Sequence, residues 1–192
     1  MRTFVDILII DIECTCNDDP QLPKEQVEII EIGAVVCRLS TDSFAVLDTL
    51  QLYVQPSFTK KLTDFCTQLT GIEQLQVNSA PLLDSALDTF ADWLSAFQLS
   101  TWMSWGKFDD RQFSYETQLK NLKNPLGSFQ HLNLKQLFAR KRGHRVGLGR
   151  AIQLSGLEFK GRHHSGLDDA KNIAQLLGND QVLREAVLSR VK

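Results

Sequence analysis

The sequence predicts an α/β layered domain built on a mixed five-stranded sheet, whose first three strands are antiparallel and whose two faces are covered by helices. Residues 4–10 (FVDILII) form a nearly continuous apolar run rich in isoleucine, which is typical of a central strand buried on both faces. Two further strand-like segments follow closely, and from about residue 79 apolar residues recur at helical spacing. Strands that give way to helices and shorter strands indicate a layered arrangement.

The second and third strands are predicted at residues 27–39 (VEIIEIGAVVCRL) and 45–55 (AVLDTLQLYVQ), both rich in β-branched residues. Only a short polar segment, STDSF, separates them. Together with the first strand they indicate an antiparallel meander. Two shorter segments, residues 99–105 and 127–132, are predicted to complete the sheet.

The helices are predicted from start signals and from apolar spacing. Ser79, Ala80 and Pro81 form a helix-start signal, and residues 82–97 carry apolar side chains at helical spacing. Asn133 is predicted to cap the helix that follows it. The remaining helices are predicted at residues 109–122, 134–141, 148–154, 166–177 and 181–191.

The composition is that of an ordinary soluble globular protein, with 43% hydrophobic and 23% charged residues in a chain of 192. No repeat or linker interrupts the pattern, so we expect a single domain over residues 1–192. No apolar run reaches the ~18 residues of a membrane span. Acidic residues, and no cleavage site, follow the first apolar run, which therefore predicts a strand and not a signal peptide. We expect no association with membranes.

The four cysteines are Cys14, Cys16, Cys37 and Cys66. Cys14 and Cys16 are too close in sequence for an easy disulfide, and no second close pair completes a zinc site. Reduced thiols of this kind predict a cytoplasmic protein.

The net charge of −2 argues against a protein that coats nucleic acid without specificity. One segment is nevertheless strongly basic, since residues 135–150 carry six lysines and arginines and no acid. Two interpretations remain open: a solvated helix end and loop, or a local rim that binds phosphate.

A pair of acids ends the first strand. Asp11 and Glu13 are two residues apart, so on a strand their side chains project from the same face. Like charges this close are unfavourable in a partly dry site. Divalent cations such as Mg²⁺, which prefer oxygen ligands, are the usual remedy, although two acids at a strand end are also compatible with simple solvation.

Two more acidic pairs stand at the ends of predicted elements. Asp109 and Asp110 lie where a strand gives way to a helix, in SWGKFDDRQF. Asp168 and Asp169 begin another helix, directly after a pair of histidines, in GRHHSGLDDAKN. The ends of neighbouring strands and the adjoining helices can converge at one edge of an α/β sheet. Convergent carboxylates with a histidine suit phosphoryl transfer with two metal ions.

In these motifs the sequence resembles the DEDDh 3′–5′ exonucleases, which have a ribonuclease-H-like fold. The resemblance is closest to the branch that contains the histone-mRNA 3′-end exonuclease and its bacterial relatives. It rests on five segments in family order between residues 4 and 177: IIDIECTC, VEIIEIGAVV, LTGIEQLQVNSAP, SWGKFDDRQF and GLEFKGRHHSGLDDAKNIAQLL.

The family places four residues between its histidine and the last metal-binding aspartate. His163 with Asp168 and His164 with Asp169 fit this count equally well. Family members commonly have a small residue after the aspartate, so Ala170 favours Asp169 and with it His164. Helical spacing agrees, because the helix face that carries Asp169 continues into apolar positions. His163 is then expected to be structural or to lie at the substrate rim.

The same comparison decides between the middle pair of acids. The family form is glycine, one residue, an aromatic residue and then the aspartate, which Gly106, Phe108 and Asp109 match. Asp110 is then expected to be a helix-start acid that interacts with the helix dipole.

The resemblance thus implies that Asp11, Glu13, Asp109 and Asp169 hold two Mg²⁺ or Mn²⁺ ions. It also implies that His164 acts as the general base toward the attacking water, so that activity falls at acid pH. The implied product is a 5′-mononucleotide released from the 3′ end of the strand.

By position, the resemblance assigns substrate binding to Cys14, Thr15 and Phe108. Phe108 stacked on a base and Phe108 in the core are equally compatible with the sequence. The expected substrate is a single-stranded 3′ end, with RNA favoured over DNA, and a protein partner is unknown. The alternatives are a DNA-directed proofreading or repair exonuclease and a non-catalytic nucleic-acid-binding module that retains the fold.

Overall fold

The computed structural model describes residues 4–191, so the predicted domain extends beyond the described residues at both ends. In this range the strands are β1 (Val5–Cys14), β2 (Ile29–Leu39), β3 (Phe44–Tyr53), β4 (Thr101–Ser104) and β5 (Gln130–Asn133). The α-helices are α1 (Asp64–Thr70), α2 (Gln74–Ser79), α3 (Leu83–Leu94), α4 (Phe108–Leu119), α5 (Leu134–Arg142), α6 (Leu148–Leu154), α7 (Gly166–Asn179) and α8 (Gln181–Leu188).

The strands form one mixed sheet in the order β3-β2-β1-β4-β5. β1 pairs antiparallel with β2, and β2 pairs antiparallel with β3, which confirms the predicted meander. β4 lies parallel to β1 on its other side, and β5 lies parallel to β4. β1 is therefore the central strand, and its carboxyl end meets the carboxyl end of β4 at one edge of the sheet.

Side chains of β1 alternate between two apolar layers. Ile7 and Ile9 are fully buried on one face, under α5, α6, α7 and α8. Leu8 and Ile10 are fully buried on the other face, under α3 and α4. The predicted arrangement, a mixed five-stranded sheet with helices on both faces, is confirmed.

One predicted helix start is confirmed and another is wrong. Asn133 caps α5 as expected, since its side chain accepts a hydrogen bond from the backbone N–H of Gln136. Ser79, in contrast, ends α2, and α3 begins only at Leu83. Pro81 explains the difference, because the residue before a proline is kept out of helical geometry and Ala80 is extended.

Two short helices, α1 and α2, were not predicted. They have seven and six residues, which is too short for apolar periodicity to identify them. Their ends carry local signals: Thr63 caps α1 by accepting from the N–H of Cys66, and Gly71 ends it with a φ of 75°. Among residues 4–191, no helix combines the length and the apolar character needed to cross a membrane.

Candidate active site

Asp11 and Glu13 project from the same face of β1, as the sequence predicts. In the register with β2, Asp11 is opposite Gly33, and Glu13 is opposite Glu31. Ile12, between the two acids, points to the opposite face and joins the apolar layer there. Two acids of the central strand thus face the same side of the sheet as α7.

Two glycines allow α7 to begin directly on the sheet. A Cβ atom at Gly33 would lie 2.0 Å from the carbonyl carbon of Gly166, and one at Gly166 would lie 2.8 Å from the carbonyl oxygen of Asp11. No side chain fits at either contact. The first turn of α7 therefore lies against β1 and β2, which places Asp169 beside the acids of β1.

Asp109 reaches the site from β4. This strand runs parallel to β1 and ends at Ser104, and Asp109 lies in the first turn of the helix that follows. Its Oδ1 accepts a hydrogen bond of 3.2 Å from the backbone N–H of Ile12. Asp110 lies apart, with its Oδ2 atom 3.6 Å from Nδ1 of His131. The structure therefore places Asp109, and not Asp110, next to β1.

Glu13, His164 and Asp169 form the tightest part of the site, since potential ligand atoms of all three lie within 4.8 Å of one another. The backbone N–H of His164 donates to Oδ2 of Asp169 over 3.1 Å. His164 adopts a φ of 60°, a conformation that non-glycine residues rarely take. Strain of this kind is common at functional sites, and here it accompanies an imidazole placed beside two carboxylates.

The neighbouring histidine and aspartate lie in a different environment. The ring of His163 stacks on Phe159, with 3.6 Å between centroids. Asp168 accepts a hydrogen bond of 2.8 Å from the backbone N–H of Arg162. The structure thus separates the two pairs that the spacing left equal. It brings His164 and Asp169 to the acids of β1, and their catalytic roles stay a prediction.

Asn172 holds the histidine-bearing loop, a role that the sequence did not reveal. Its side chain accepts from the N–H of Lys160 and donates to the carbonyl oxygens of Lys160 and Asp168, all within 2.9 Å. The Arg162 guanidinium ties the same loop to α1 through the carbonyl oxygen of Gln68, at 2.6 Å. The available signal was a polar residue on the buried face of α7.

Glu31 is a fifth acid near the site that the sequence analysis missed. It is 1% exposed and accepts hydrogen bonds from the N–H of Leu167 and from the amide of Gln51. These bonds give it a structural function at the start of α7. The signal was an acidic residue in an otherwise apolar strand, two positions before Gly33.

The predicted ligands are electrostatically crowded. Burial raises the pKa of Asp11 well above its usual range, and the charges of Asp109, Asp169 and Glu13 raise it further. Burial, with the charge of Asp169 next, raises the pKa of Glu13 to about 8. Burial raises the pKa of Asp169 to about 7, although the N–H of His164 opposes this shift. Burial also raises the pKa of Asp109, against a stabilising hydrogen bond from the hydroxyl of Ser104.

This crowding fits a divalent cation. Four carboxylates with raised pKa values, gathered in a small volume, lack a compensating positive charge among the groups that face them within residues 4–191. Carboxylate oxygens are the ligands that Mg²⁺ and Mn²⁺ prefer. His164 contributes a largely neutral imidazole, since burial and the nearby His163 and Arg162 lower its pKa. The donor set therefore suits hard divalent ions next to a group that can accept a proton.

The three residues assigned to substrate binding lie in unlike places. Cys14 is buried in an apolar cluster. The Thr15 hydroxyl donates to the carbonyl oxygen of Gln26 and accepts from the N–H of Glu28, so this side chain fixes the loop after β1. Phe108 is 55% exposed, which rules out the alternative that it is a core residue. Substrate contact by these residues stays a prediction.

Comparisons with known proteins agree with this architecture. A family model described as Exonuclease, RNase_T, matches residues 8–177. Human "3'-5' exoribonuclease 1" is 35% identical over 180 residues, covering 88% of this chain and 50% of that protein. "ERI1 exoribonuclease 2" of Danio rerio is 36% identical over 198 residues, covering 91% and 35%. The chain thus spans about half the length, or less, of these curated relatives.

Solved structures show the same fold. The nuclease domain of 3'hExo, described as a DEDDh family member bound to rAMP, superposes with a TM-score of 0.82 at 31% identity, covering 94% of this chain and 92% of that one. A 3'-exonuclease recognising the histone mRNA stem-loop gives 0.83 at 30% identity, covering 94% and 82%. Sequence, fold and site geometry agree: the chain belongs to the RNase_T family of exonucleases.

Proposed function

We propose that this chain is a metal-dependent 3′–5′ exonuclease that hydrolyses single-stranded nucleic acid, with RNA favoured over DNA, and releases 5′-mononucleotides. The observation that carries the proposal is the meeting of Glu13, Asp169 and His164, whose potential ligand atoms lie within 4.8 Å of one another. They come from chain segments more than 150 positions apart in the sequence.

In this proposal Asp11, Glu13, Asp109 and Asp169 hold two Mg²⁺ or Mn²⁺ ions. When bound, such ions supply Lewis-acid catalysis and neutralise charge on the phosphodiester. The protein contributes fixed positions for the four carboxylates. β1 supplies two of them, the hydrogen bond from Ile12 orients Asp109, and the glycine contact orients Asp169.

His164 is the proposed general base. As a neutral imidazole it accepts a proton from the water that attacks the last phosphorus in line. The bond from phosphorus to the 3′ oxygen of the preceding nucleotide breaks. The departing 3′ oxygen takes a proton from solvent and becomes the 3′-hydroxyl of the shortened strand, and the terminal nucleotide leaves with its 5′-phosphate. The imidazolium then gives this proton to solvent, which its lowered pKa favours.

The preference for RNA is supported by the relatives. The curated proteins that the chain resembles are named exoribonucleases, and solved relatives hold rAMP or a histone mRNA stem-loop. The site lies where the first turns of two helices meet the end of the central strand, and the proposed substrate is a single-stranded 3′ end.

A degradation assay tests this function. RNA and DNA oligomers of one sequence, each labelled at the 5′ end, are incubated with Mg²⁺, Mn²⁺ or chelator, and 3′-blocked oligomers serve as controls. We expect stepwise shortening from a free 3′-hydroxyl only with metal, faster on RNA. Faster loss of DNA would indicate the DNA-directed alternative. Binding without metal-dependent product would indicate a non-catalytic module.

We also propose a cytoplasmic location. All four cysteines are free thiols, and Cys14, Cys37 and Cys66 are buried. Reduced thiols are typical of proteins from reducing compartments. Cell fractionation tests the proposal, and recovery outside the cytoplasm would contradict it.

A further inference from the structure

A cleft of about 690 Å³ opens beside the candidate active site, between the start of α4 and the outer face of α5. Phe108 lies in its wall, and the next residue in the chain is Asp109. The cleft wall therefore includes the residue directly before one of the proposed metal ligands.

The cleft is strongly basic. Its walls contain five cationic side chains and no acid: Lys107, Arg111, Lys135, Arg140 and Arg145. Within residues 4–191 these five side chains make no ion pair and no side-chain hydrogen bond. Some cations elsewhere have acidic partners, as Arg142 has Asp180 and Lys120 has Glu28. Five unpaired like charges around one concavity repel one another, which is unfavourable unless an anion joins them.

The position of this charge suggests which anion is bound. The candidate active site is acidic, and the whole chain has a net charge of −2, so a nucleic-acid strand is not attracted by the molecule as a whole. Local cations beside the site offset that repulsion. Contacts between lysine or arginine side chains and phosphates are the main source of affinity for nucleic acid. An exposed aromatic ring provides a stacking surface for a base. Phe108 offers such an exposed ring in the wall of the cleft, one residue before Asp109.

We propose that this cleft binds the phosphates of the substrate strand upstream of its 3′-terminal nucleotide. The inference rests on the proposed exonuclease function and goes beyond it, because it assigns a second binding site to the strand. It predicts that affinity depends on strand length and on salt, whereas the chemistry at the terminal nucleotide depends on neither.

Charge reversal tests the cleft. Arg140→Glu reverses one exposed cation of the cleft, and Lys123→Glu makes the same charge change at an exposed lysine outside it. Two substrates are compared, a dinucleotide and a single strand of about 12 nucleotides, within the range of known single-strand sites. For Arg140→Glu we expect KM on the longer strand to rise at least about fivefold, with a smaller salt dependence and an unchanged rate on the dinucleotide. Lys123→Glu should behave like wild type.

Binding without catalysis separates this inference from the proposed function. Fluorescence anisotropy of the 5′-labelled longer strand is measured in chelator, with both variants. If wild type degrades the strand but the two variants bind alike, the cleft proposal is wrong and the exonuclease proposal stands. If wild type binds through the cleft but releases no nucleotide with any metal, the exonuclease proposal is wrong. An equal loss of activity of Arg140→Glu on the dinucleotide and on the longer strand would show that Arg140 supports the fold. That result would contradict the cleft proposal.

Discussion

At the scale of single residues, the proposed chemistry depends on which of two adjacent histidines accepts the proton. His164 lies beside Glu13 and Asp169, and His163 stacks on Phe159. Removal of a general base typically lowers the rate about 10²–10⁴-fold. We expect His164→Ala to lose turnover to this extent while it retains the melting temperature of the wild type.

His163→Ala is the matched control for that variant. It removes the same side chain one position away, so it should keep most of the activity and lose a little stability through the lost stacking. Steady-state rates on a labelled RNA and thermal denaturation measure both properties. Near-normal turnover in His164→Ala, or a larger loss in His163→Ala, would contradict the assignment.

The residue scale also shows where prediction from sequence was limited. Both histidine–aspartate pairs fit the spacing of the family motif. Only the alanine at position 170, a residue type that family members commonly have after the aspartate, favoured one pair. The structure separates the pairs through the left-handed φ of His164, which no local sequence pattern indicates. Glu31 and Ser104 support the site from neighbouring strands, and strand pairing is a long-range property that periodicity does not reveal.

At the scale of elements, the contact between β2 and α7 determines the site. A Cβ at Gly33 would lie 2.0 Å from the backbone of Gly166, so a side chain at this position would push β2 and α7 apart. We expect Gly33→Ala to lose about 3 kcal/mol of unfolding free energy, at the upper end of the usual cost of overpacking. It should also lose activity, because α7 carries Asp169.

Gly147→Ala is the control for this substitution. Gly147 has a φ of −65°, and no heavy atom lies within 4 Å of the position that its Cβ would take. The unfolding free energy of Gly147→Ala, measured by denaturant titration, should stay close to that of the wild type. Equal stability of Gly33→Ala and Gly147→Ala would show that the packing of α7 on β2 does not require a glycine at position 33.

The loop that carries His164 depends on Asn172. Asn172→Asp keeps the size of the side chain and the acceptor for the N–H of Lys160, but it removes the amide donor to two carbonyl oxygens. Loss of a hydrogen bond to each of these half-buried carbonyl groups costs about 0.5–1.5 kcal/mol. We expect lower stability and a lower kcat with little change in KM, because the imidazole is displaced.

Asn179→Asp provides the comparison, since the amide of Asn179 donates only to the carbonyl oxygen of Gln175 at an exposed position. Unfolding curves and steady-state kinetics of both variants test the prediction. A wild-type kcat in Asn172→Asp would show that the loop holds its histidine without this residue.

At the scale of the whole molecule, the sequence predicted the sheet and its layers better than the short elements. The run of isoleucines in β1 and the turn between β2 and β3 determined the meander, because both signals are local. The helices α1 and α2 were missed, since their stability comes from packing and caps more than from periodicity. The sequence indicated only part of the basic cleft. The segment from Lys135 to Arg145 supplies three of its cations, but Lys107 directly precedes α4 and Arg111 lies in it, and only the fold brings the two segments together.

The clustered acids link stability to pH and to metal. Glu13 has a pKa of about 8 in the folded protein, above its usual value, so between pH 5 and 8 the folded state holds protons that the unfolded state has released. Without metal, this carboxyl therefore lowers stability as pH rises. We expect Glu13→Gln to be more stable than wild type in chelator, by a margin that grows from pH 5 to 8.

Thermal denaturation in chelator and in Mn²⁺ measures this effect. Mn²⁺ should raise the melting temperature of the wild type most at the upper end of the pH range, because bound ligands must be ionised. It should raise that of Glu13→Gln less. A difference between the two proteins that shrinks as pH rises would contradict the electrostatic account.

The most direct measurement is a crystal structure with Mn²⁺, recorded at a wavelength where manganese scatters anomalously. We expect anomalous peaks between the carboxylates of Asp11, Glu13, Asp109 and Asp169, with the His164 imidazole facing the same space. Carboxylates that point apart with no anomalous peak between them would contradict it.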